Sequence, residues 1–193
     1  MTENINKAVE TLKAGGVILL PTETVYGIAA DARSKSAIEK IYDIKGRNNS
    51  KPLQVLVSSL EQAEEIAEFN VKARELARKF WPGALTIVLK LRSDGIPNYF
   101  NKNSDTIGIR IPNHPIALEV LRELGSPLVA TSANISGESD NITFAAAQKT
   151  LGDKLDMLLD GGESKVGVSS TVVDLTNPAE VKILRQGSVK ISI

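Results

Sequence analysis

Short apolar runs of strand length alternate along this chain with segments of helical periodicity, and this alternation restricts the fold more than any other feature. The runs predict strands at 17–20, 53–57, 85–91, 107–111, 127–131, 157–159, 170–175 and 181–184. The periodic segments predict helices at 6–14, 36–45, 60–69, 71–80, 116–124 and 144–151. This order predicts an α/β fold with one twisted, mostly mixed open sheet flanked by helices. No linker or repeat divides the 193 residues, so we expect a single domain over 1–193.

Cysteine is absent from the chain and histidine occurs once. The composition therefore excludes a disulfide framework, a thiolate nucleophile and a cysteine-rich metal site. His114 lies in the sequence Pro-Asn-His-Pro, which is typical of a rigid turn. A Ser-His-Asp triad or a two-histidine metal site would depend on this residue, so we expect neither of them.

The charges of the chain balance, with 23 basic and 23 acidic residues. Nothing global therefore attracts nucleic acid or an anionic membrane, and RNA binding would need a locally basic face. The N-terminus has no basic segment followed by a long apolar run, and no window approaches the roughly 18 apolar residues of a spanning helix. We expect a cytoplasmic protein that binds no membrane.

Three cations, Lys45, Arg47 and Lys51, cluster at the end of a predicted helix and before a predicted strand. Neither a GxGxxG nor a Walker motif is present, since 162–169 has Val168 where the Walker lysine would stand. The cluster suits a triphosphate or a carboxylate, because arginine pairs bidentately with such groups and lysine supplies a point charge. Alternatively, Lys45 and Arg47 only complement the negative end of the helix dipole. The spacing leaves both interpretations open.

Other polar residues lie at or inside predicted strands, and open α/β sheets bind ligands just beyond strand ends. Ser132 and Asn134 follow one strand and alternate to the same side, so they either share a ligand or form a local turn. Arg110 lies within an apolar strand and needs a partner, either an acidic core residue or a ligand carboxylate. Ser170 begins another strand, where its hydroxyl either serves a small ligand or simply suits a strand entry.

Six motifs occur in one order over about 165 residues: PTETVYG at 21–27, KxR at 45–47, RIPNHP at 110–115, SxN at 132–134, STVVD at 170–174 and ILR at 183–185. Together they resemble the YrdC-like family of L-threonylcarbamoyladenylate synthases. The resemblance implies a twisted sheet with a concave ligand cavity. It also implies that L-threonine, bicarbonate or carbon dioxide, and ATP with Mg²⁺ react to threonylcarbamoyl-AMP and pyrophosphate. Downstream proteins would then transfer the threonylcarbamoyl group to tRNA.

The resemblance also implies roles for individual residues. The implied catalytic residues are Lys45, Arg47, Ser132 and Asn134. The implied ATP contacts are Arg47, Lys51, Thr106, Asn134, Thr143 and Arg185. The implied threonine contacts are Thr24, Arg110, Ser132 and Ser170. Leu56 occupies a position where many members carry a histidine that contacts threonine, so part of the amino acid pocket is expected to differ.

Rival interpretations come from other classes of protein. A non-catalytic YrdC-like module would bind a nucleotide or RNA, but such relatives tend to lack the KxR and SxN patterns that this chain has. A net charge of zero also disfavours strong RNA binding unless one face is basic. A carbamoyltransferase on the same fold needs acylphosphatase and zinc-finger modules, which 193 residues without cysteine do not accommodate. A nucleotide-binding enzyme with another acceptor is the remaining alternative.

Overall fold

The computed structural model describes residues 2–46, 52–99 and 104–191. The helices are α1 (Thr2–Lys13), α2 (Lys35–Lys45), α3 (Leu60–Ile66), α4 (Val71–Phe80), α5 (Pro115–Leu124) and α6 (Phe144–Leu151). The strands are β1 (Ile18–Leu20), β2 (Gly27–Asp31), β3 (Gln54–Leu56), β4 (Leu85–Lys90), β5 (Thr106–Arg110), β6 (Leu128–Ser132), β7 (Met157–Leu158), β8 (Thr171–Asp174) and β9 (Lys182–Arg185). None of these helices is long and apolar enough to cross a bilayer.

Local capping chemistry sets several helix boundaries where the sequence predicts them. The hydroxyl of Ser34 accepts a hydrogen bond from the Ala37 amide at the start of α2, and the helix ends at Gly46 with a φ of 56°. Helix α4 begins after Asn70, whose side chain caps the Ala73 amide. The helix predicted at 60–69 is too long, because Ala67 leaves α3 and forms a β-bridge with Leu91.

The described strands form one mixed sheet in the order β7-β1-β2-β6-β3-β5-β4-β8-β9. Strand β7 is parallel to β1, β3 is parallel to β5, and β4 is parallel to β8. The other neighbours are antiparallel. The mixed sheet with its flanking helices confirms the predicted α/β class.

Strand β2 is a strand that the sequence analysis missed. Its sequence, Gly-Ile-Ala-Ala-Asp, is fully buried and pairs with β1 on one side and β6 on the other. Glycine and alanine have a weak strand preference, so the segment carries little strand signal by itself. Small residues suit the position, because a Cβ on Gly27 would lie 3.2 Å from the Thr131 carbonyl oxygen.

Helices cover the two faces of the sheet unequally. Helices α2, α3, α4 and α6 pack on one face against alternate strand residues such as Val55, Ile87 and Ile109. On the other face, α1 and α5 pack over one end of the sheet, against residues such as Ile18 and Leu128. No described helix contributes to this second cluster over β4, β5 and β8, so the sheet is open there.

Candidate active site

The open part of the sheet forms the floor of a cavity of about 400 Å³. Alternate residues of four neighbouring strands share this face because successive side chains point to opposite sides of a strand. They are Gln54 and Leu56 from β3, Thr106, Gly108 and Arg110 from β5, Thr86 and Val88 from β4, and Val172 and Asp174 from β8. The walls include Thr22, Thr24, Ser132, Ser169, Ser170 and Arg185. The volume is in the range of small-molecule sites.

Lys45, Ser132 and Asn134 come together beside this cavity. Lys45 ends α2 and is only 2% exposed. Its ammonium donates to the Ser132 carbonyl at 2.6 Å, to the Asn134 side-chain oxygen at 2.7 Å and to the Asn134 carbonyl. The Ser132 hydroxyl also donates to the Asn134 side-chain oxygen, at 2.7 Å. Lys45 therefore does more than complement the dipole of its helix.

Of these three residues, Ser132 is the one that lines the cavity, whereas Lys45 and Asn134 lie behind it. The Asn134 amide donates to the Glu138 carbonyl at 2.6 Å, so both ends of this side chain are held. A direct Asn134 contact with a nucleotide therefore stays a prediction. Arg47 and Lys51, the other two members of the cation cluster, lie outside the described residues.

Arg110 forms a buried ion pair with Glu23. The Arg110 Nη2 and Glu23 Oε1 atoms are 2.7 Å apart, and the side chains are 2% and 9% exposed. Burial lowers the pKa of Arg110, and the charge of Glu23 opposes that shift. The alternative of an acidic partner is thus confirmed, while the contact with a ligand carboxylate stays a prediction for a residue that also lines the cavity. Glu23 was missed, although a charge inside an apolar strand is itself a signal to look for an acidic partner.

Ser170 and Arg185 belong to a series of hydrogen bonds that runs from the cavity wall onto the cavity floor. Arg185 donates to the Ser170 carbonyl at 3.0 Å and to the Ser170 hydroxyl at 3.1 Å. The Ser170 and Thr86 hydroxyl oxygens are 2.8 Å apart, and Thr86 donates to the Gln54 side-chain oxygen at 3.2 Å. Gln54 and Thr86 were missed by the sequence analysis. Their signal was a polar residue inside each of two apolar strands.

Arg185 brings a positive charge to this part of the cavity, whereas Glu23 balances the charge of Arg110. Burial lowers the pKa of Arg185, Asp140 raises it, and the like charge of Arg110 lowers it again. Both arginines line the same cavity, where Asp174 is the acidic residue among the described lining residues. The two guanidinium groups therefore offer N–H donors to an acceptor in the cavity.

The remaining predicted site residues are three threonines, and two of them line the cavity. Thr24 is buried, and its hydroxyl lies 2.9 Å from that of Thr22. Thr106 also lines the cavity, with its hydroxyl 2.7 Å from that of Ser104. Thr143 instead caps α6, where its hydroxyl accepts from the Ala146 amide, and it does not line the cavity. Its contact with a nucleotide stays a prediction.

The loop at 22–26, which lines the cavity, is joined to the loop at 161–164. The Tyr26 hydroxyl donates to the Gly162 carbonyl at 2.7 Å and accepts from the Gly161 amide at 3.0 Å. The Ser164 hydroxyl donates to the Thr22 carbonyl at 3.0 Å. Burial raises the pKa of Tyr26, so its hydroxyl stays protonated at neutral pH. Together these bonds hold 161–164 against 22–26.

A mixed sheet whose open face carries two arginines and several hydroxyls around one cavity defines an α/β protein with a candidate small-molecule site. The chain belongs to the Sua5/YciO/YrdC family. The family model Sua5_yciO_yrdC, described as "Telomere recombination", matches residues 10–187.

Known proteins from bacteria, archaea and mouse are similar to this chain in sequence or structure. The threonylcarbamoyl-AMP synthase of Bacillus subtilis (strain 168) is 37% identical over 96% of this chain and 54% of its own length. The threonylcarbamoyl-AMP synthase of Mus musculus is 36% identical over 96% of this chain and 68% of its own length. The crystal structure of Pyrococcus abyssi Sua5 with L-threonine superposes with a TM-score of 0.90 at 38% identity, over 95% of this chain and 54% of that one. The chain thus spans about half the length of the B. subtilis and P. abyssi relatives.

Proposed function

We propose that this chain is a threonylcarbamoyl-AMP synthase, which converts L-threonine, bicarbonate and ATP into threonylcarbamoyl-AMP and pyrophosphate. The observation that carries the proposal is a single cavity lined by Arg110, Arg185 and Ser132, with Ser132 held from behind by the buried Lys45. Such a site offers separate positive groups for an amino acid carboxylate and for phosphates. The names of the B. subtilis and mouse relatives support the same reaction.

Arg110 is the proposed partner of the threonine carboxylate. A guanidinium has five N–H donors. In this chain Arg110 donates to the Gly83 carbonyl at 3.0 Å and pairs with Glu23, which leaves donors for a ligand. Because Arg110 is fixed by both partners, a carboxylate would meet a preorganised guanidinium. The L-threonine complex of the P. abyssi relative supports an amino acid site in this family.

The proposed chemistry needs positioning and charge neutralisation more than a classical base. The amine of threonine attacks the carbon of bicarbonate, and water leaves to give a carbamate. A carbamate oxygen then attacks the α-phosphorus of ATP, and pyrophosphate leaves. Adenylyl transfer of this kind depends on in-line positioning and on neutralising the charge that develops on the phosphates. Arg185 lines the cavity, and we propose it as a phosphate contact together with Arg47 and Lys51.

Lys45 acts through the segment that it holds. An ammonium has three N–H donors, and Lys45 has three acceptors on Ser132 and Asn134. These bonds fix the hydroxyl of Ser132 at the cavity wall. We therefore assign Lys45 a positioning role, with its positive charge close to the reacting groups.

Magnesium is proposed to arrive with the phosphates of ATP. The ion keeps several waters and binds through one or two carboxylates together with substrate phosphates. Asp174 lines the cavity and offers carboxylate oxygens of the type that Mg²⁺ prefers. One of these oxygens accepts from the Thr176 amide and hydroxyl at 2.9 and 2.7 Å, which orients the carboxylate. When bound, the ion would neutralise charge on the phosphates.

The product is a mixed anhydride that water hydrolyses, so we propose that it passes to proteins that transfer the threonylcarbamoyl group to tRNA. This proposal places the reaction in the cytoplasm, where tRNA and ATP are available. The loop at 22–26 lines the cavity and is held by 161–164, and we propose that it limits the access of water to the product.

Pyrophosphate release by the purified chain tests the proposed function. The assay contains ATP, Mg²⁺, L-threonine and bicarbonate, and each of the last two is omitted in turn. Release that requires both supports the synthase. ATP binding without release would instead favour the non-catalytic YrdC-like module, and RNA binding at several salt concentrations would then test that alternative.

A further inference from the structure

The series of hydrogen bonds from the cavity wall onto the cavity floor has a fixed direction. A hydroxyl carries one proton, and Thr86 donates its proton to the Gln54 oxygen. Ser170 must therefore donate its own proton to Thr86, and it accepts from Arg185. The direction runs from Arg185 through Ser170 and Thr86 to Gln54.

This direction decides what each end offers to a ligand. Ser170 has no proton left, so it meets a ligand only as an acceptor. The Gln54 side-chain oxygen accepts from Thr86, and its amide group carries two N–H donors. Within 2–46, 52–99 and 104–191, no residue accepts a hydrogen bond from this amide, although Gln54 lines the cavity. Gln54 therefore presents donors to the ligand.

The sheet leaves room for a ligand group beside Gln54. Gln54 is paired with Gly108 on the neighbouring strand, so no side chain stands between Gln54 and Thr86 on that strand. A Cβ on Gly108 would lie 3.3 Å from the Thr86 methyl group. Two residues further along the same two strands, Leu56 is paired with Arg110. An acceptor near Gln54 thus lies about 6–7 Å along the strand from the Arg110 backbone.

We propose that Gln54 selects the amino acid substrate by donating a hydrogen bond to its side-chain hydroxyl oxygen, with Thr86 as the positioning residue for Gln54. The inference rests on the proposed function, in which Arg110 holds the carboxylate of the same molecule. Leu56, on the same face of β3, is apolar and offers no such bond. The polar contact therefore comes from the residue two positions earlier.

The test compares L-threonine with L-2-aminobutyrate, which lacks only the hydroxyl group. Calorimetry measures the Kd of both amino acids for the wild-type chain and for Gln54→Met. We expect Gln54→Met to raise the Kd of L-threonine about tenfold and to change that of L-2-aminobutyrate less than about twofold. The matched control is Gln148→Met on the exposed surface of α6, which should change neither value.

Thr86 variants separate positioning from packing. Thr86→Val removes the hydroxyl and should lower the preference for L-threonine over L-2-aminobutyrate. Thr86→Ser keeps the hydroxyl and should retain that preference. Gln54→Glu keeps the acceptor for Thr86 but removes the two N–H donors, so this variant should also lose the preference for L-threonine.

Three results would overturn the inference: no preference in the wild-type chain, an equal loss for both amino acids in Gln54→Met, or a rise in the KM for ATP alone. Failure of the proposed function shows separately, as pyrophosphate release that is absent or that does not depend on threonine.

Discussion

Glu23 and Arg110 form an ion pair that joins the loop after β1 to the end of β5, with Oε1 and Nη2 2.7 Å apart. The second oxygen of Glu23 accepts from the Asn113 amide at 3.0 Å, so the carboxylate also fixes the turn that follows β5. An isolated buried charge is costly, and each partner makes the burial of the other tolerable. The pair therefore keeps a charged guanidinium in the cavity in a fixed orientation.

Removal of Glu23 should destabilise the fold. Glu23→Ala leaves the Arg110 charge buried without its partner, so we expect the free energy of unfolding to fall by about 3 kcal/mol. Urea unfolding measures the change. Glu3→Ala breaks the exposed pair with Lys7 and serves as the control, with an expected loss below about 0.5 kcal/mol. Equal stability of Glu23→Ala and wild type would show that the pair contributes no stability.

Substitution of Lys45 should lower turnover by disordering the Ser132 segment. We expect Lys45→Ala to reduce kcat for pyrophosphate release by about 100-fold or more, with a smaller change in the KM for threonine. Lys45→Arg should not restore the activity, since a guanidinium differs from an ammonium in shape. Lys35→Ala, on the exposed surface of the same helix, is the matched control. A loss of less than about threefold in Lys45→Ala would contradict the role.

Arg185 should affect both substrates, because it faces the cavity and also holds Ser170. We expect Arg185→Ala to raise the KM for ATP about tenfold and to weaken threonine binding by a smaller factor. Arg185→Lys keeps the charge but not the fork of donors, so its values should lie in between. Arg122→Ala on α5 controls for the loss of an exposed arginine. An unchanged KM for ATP would remove Arg185 from the nucleotide site.

The stability of the fold should depend on pH through His114. Burial lowers the pKa of His114 below its ordinary value of about 6.5, although the Gly161 backbone and Glu23 oppose the shift. The unfolded chain then binds the proton more readily, so stability falls as the pH drops below about 6.5 and levels off below the folded pKa. Urea unfolding at pH 7.5 and at pH 5.5 measures this loss of stability, because these values lie about one unit above and below the ordinary pKa of histidine. His114→Gln should flatten the profile, and an identical slope in that variant would assign the effect to other groups.

Local sequence signals predict two of the helices closely, whereas the helix predicted at 6–14 spans Thr2–Lys13. The helix predicted at 71–80 is confirmed at its predicted limits, because the Asn70 cap and the apolar periodicity are both local properties. The helix predicted at 36–45 is confirmed within one residue for the same reason, with Gly46 at its end. Strand β2 carried no such signal, since its alanines become a strand only between two partners.

The sequence by itself determined the α/β class, the order of most elements and the polar clusters from which the cavity is built, because periodicity and motif spacing are properties of neighbouring residues. Only the tertiary structure decided that Glu23 pairs with Arg110 and that Gln54 meets Thr86. Strands β3 and β4 are neighbours in the chain order of strands, but β5 lies between them in the sheet. Gly108 on β5 then allows the two side chains to meet over it. Such contacts depend on strand order and on the absence of a side chain at one position, which no local pattern records.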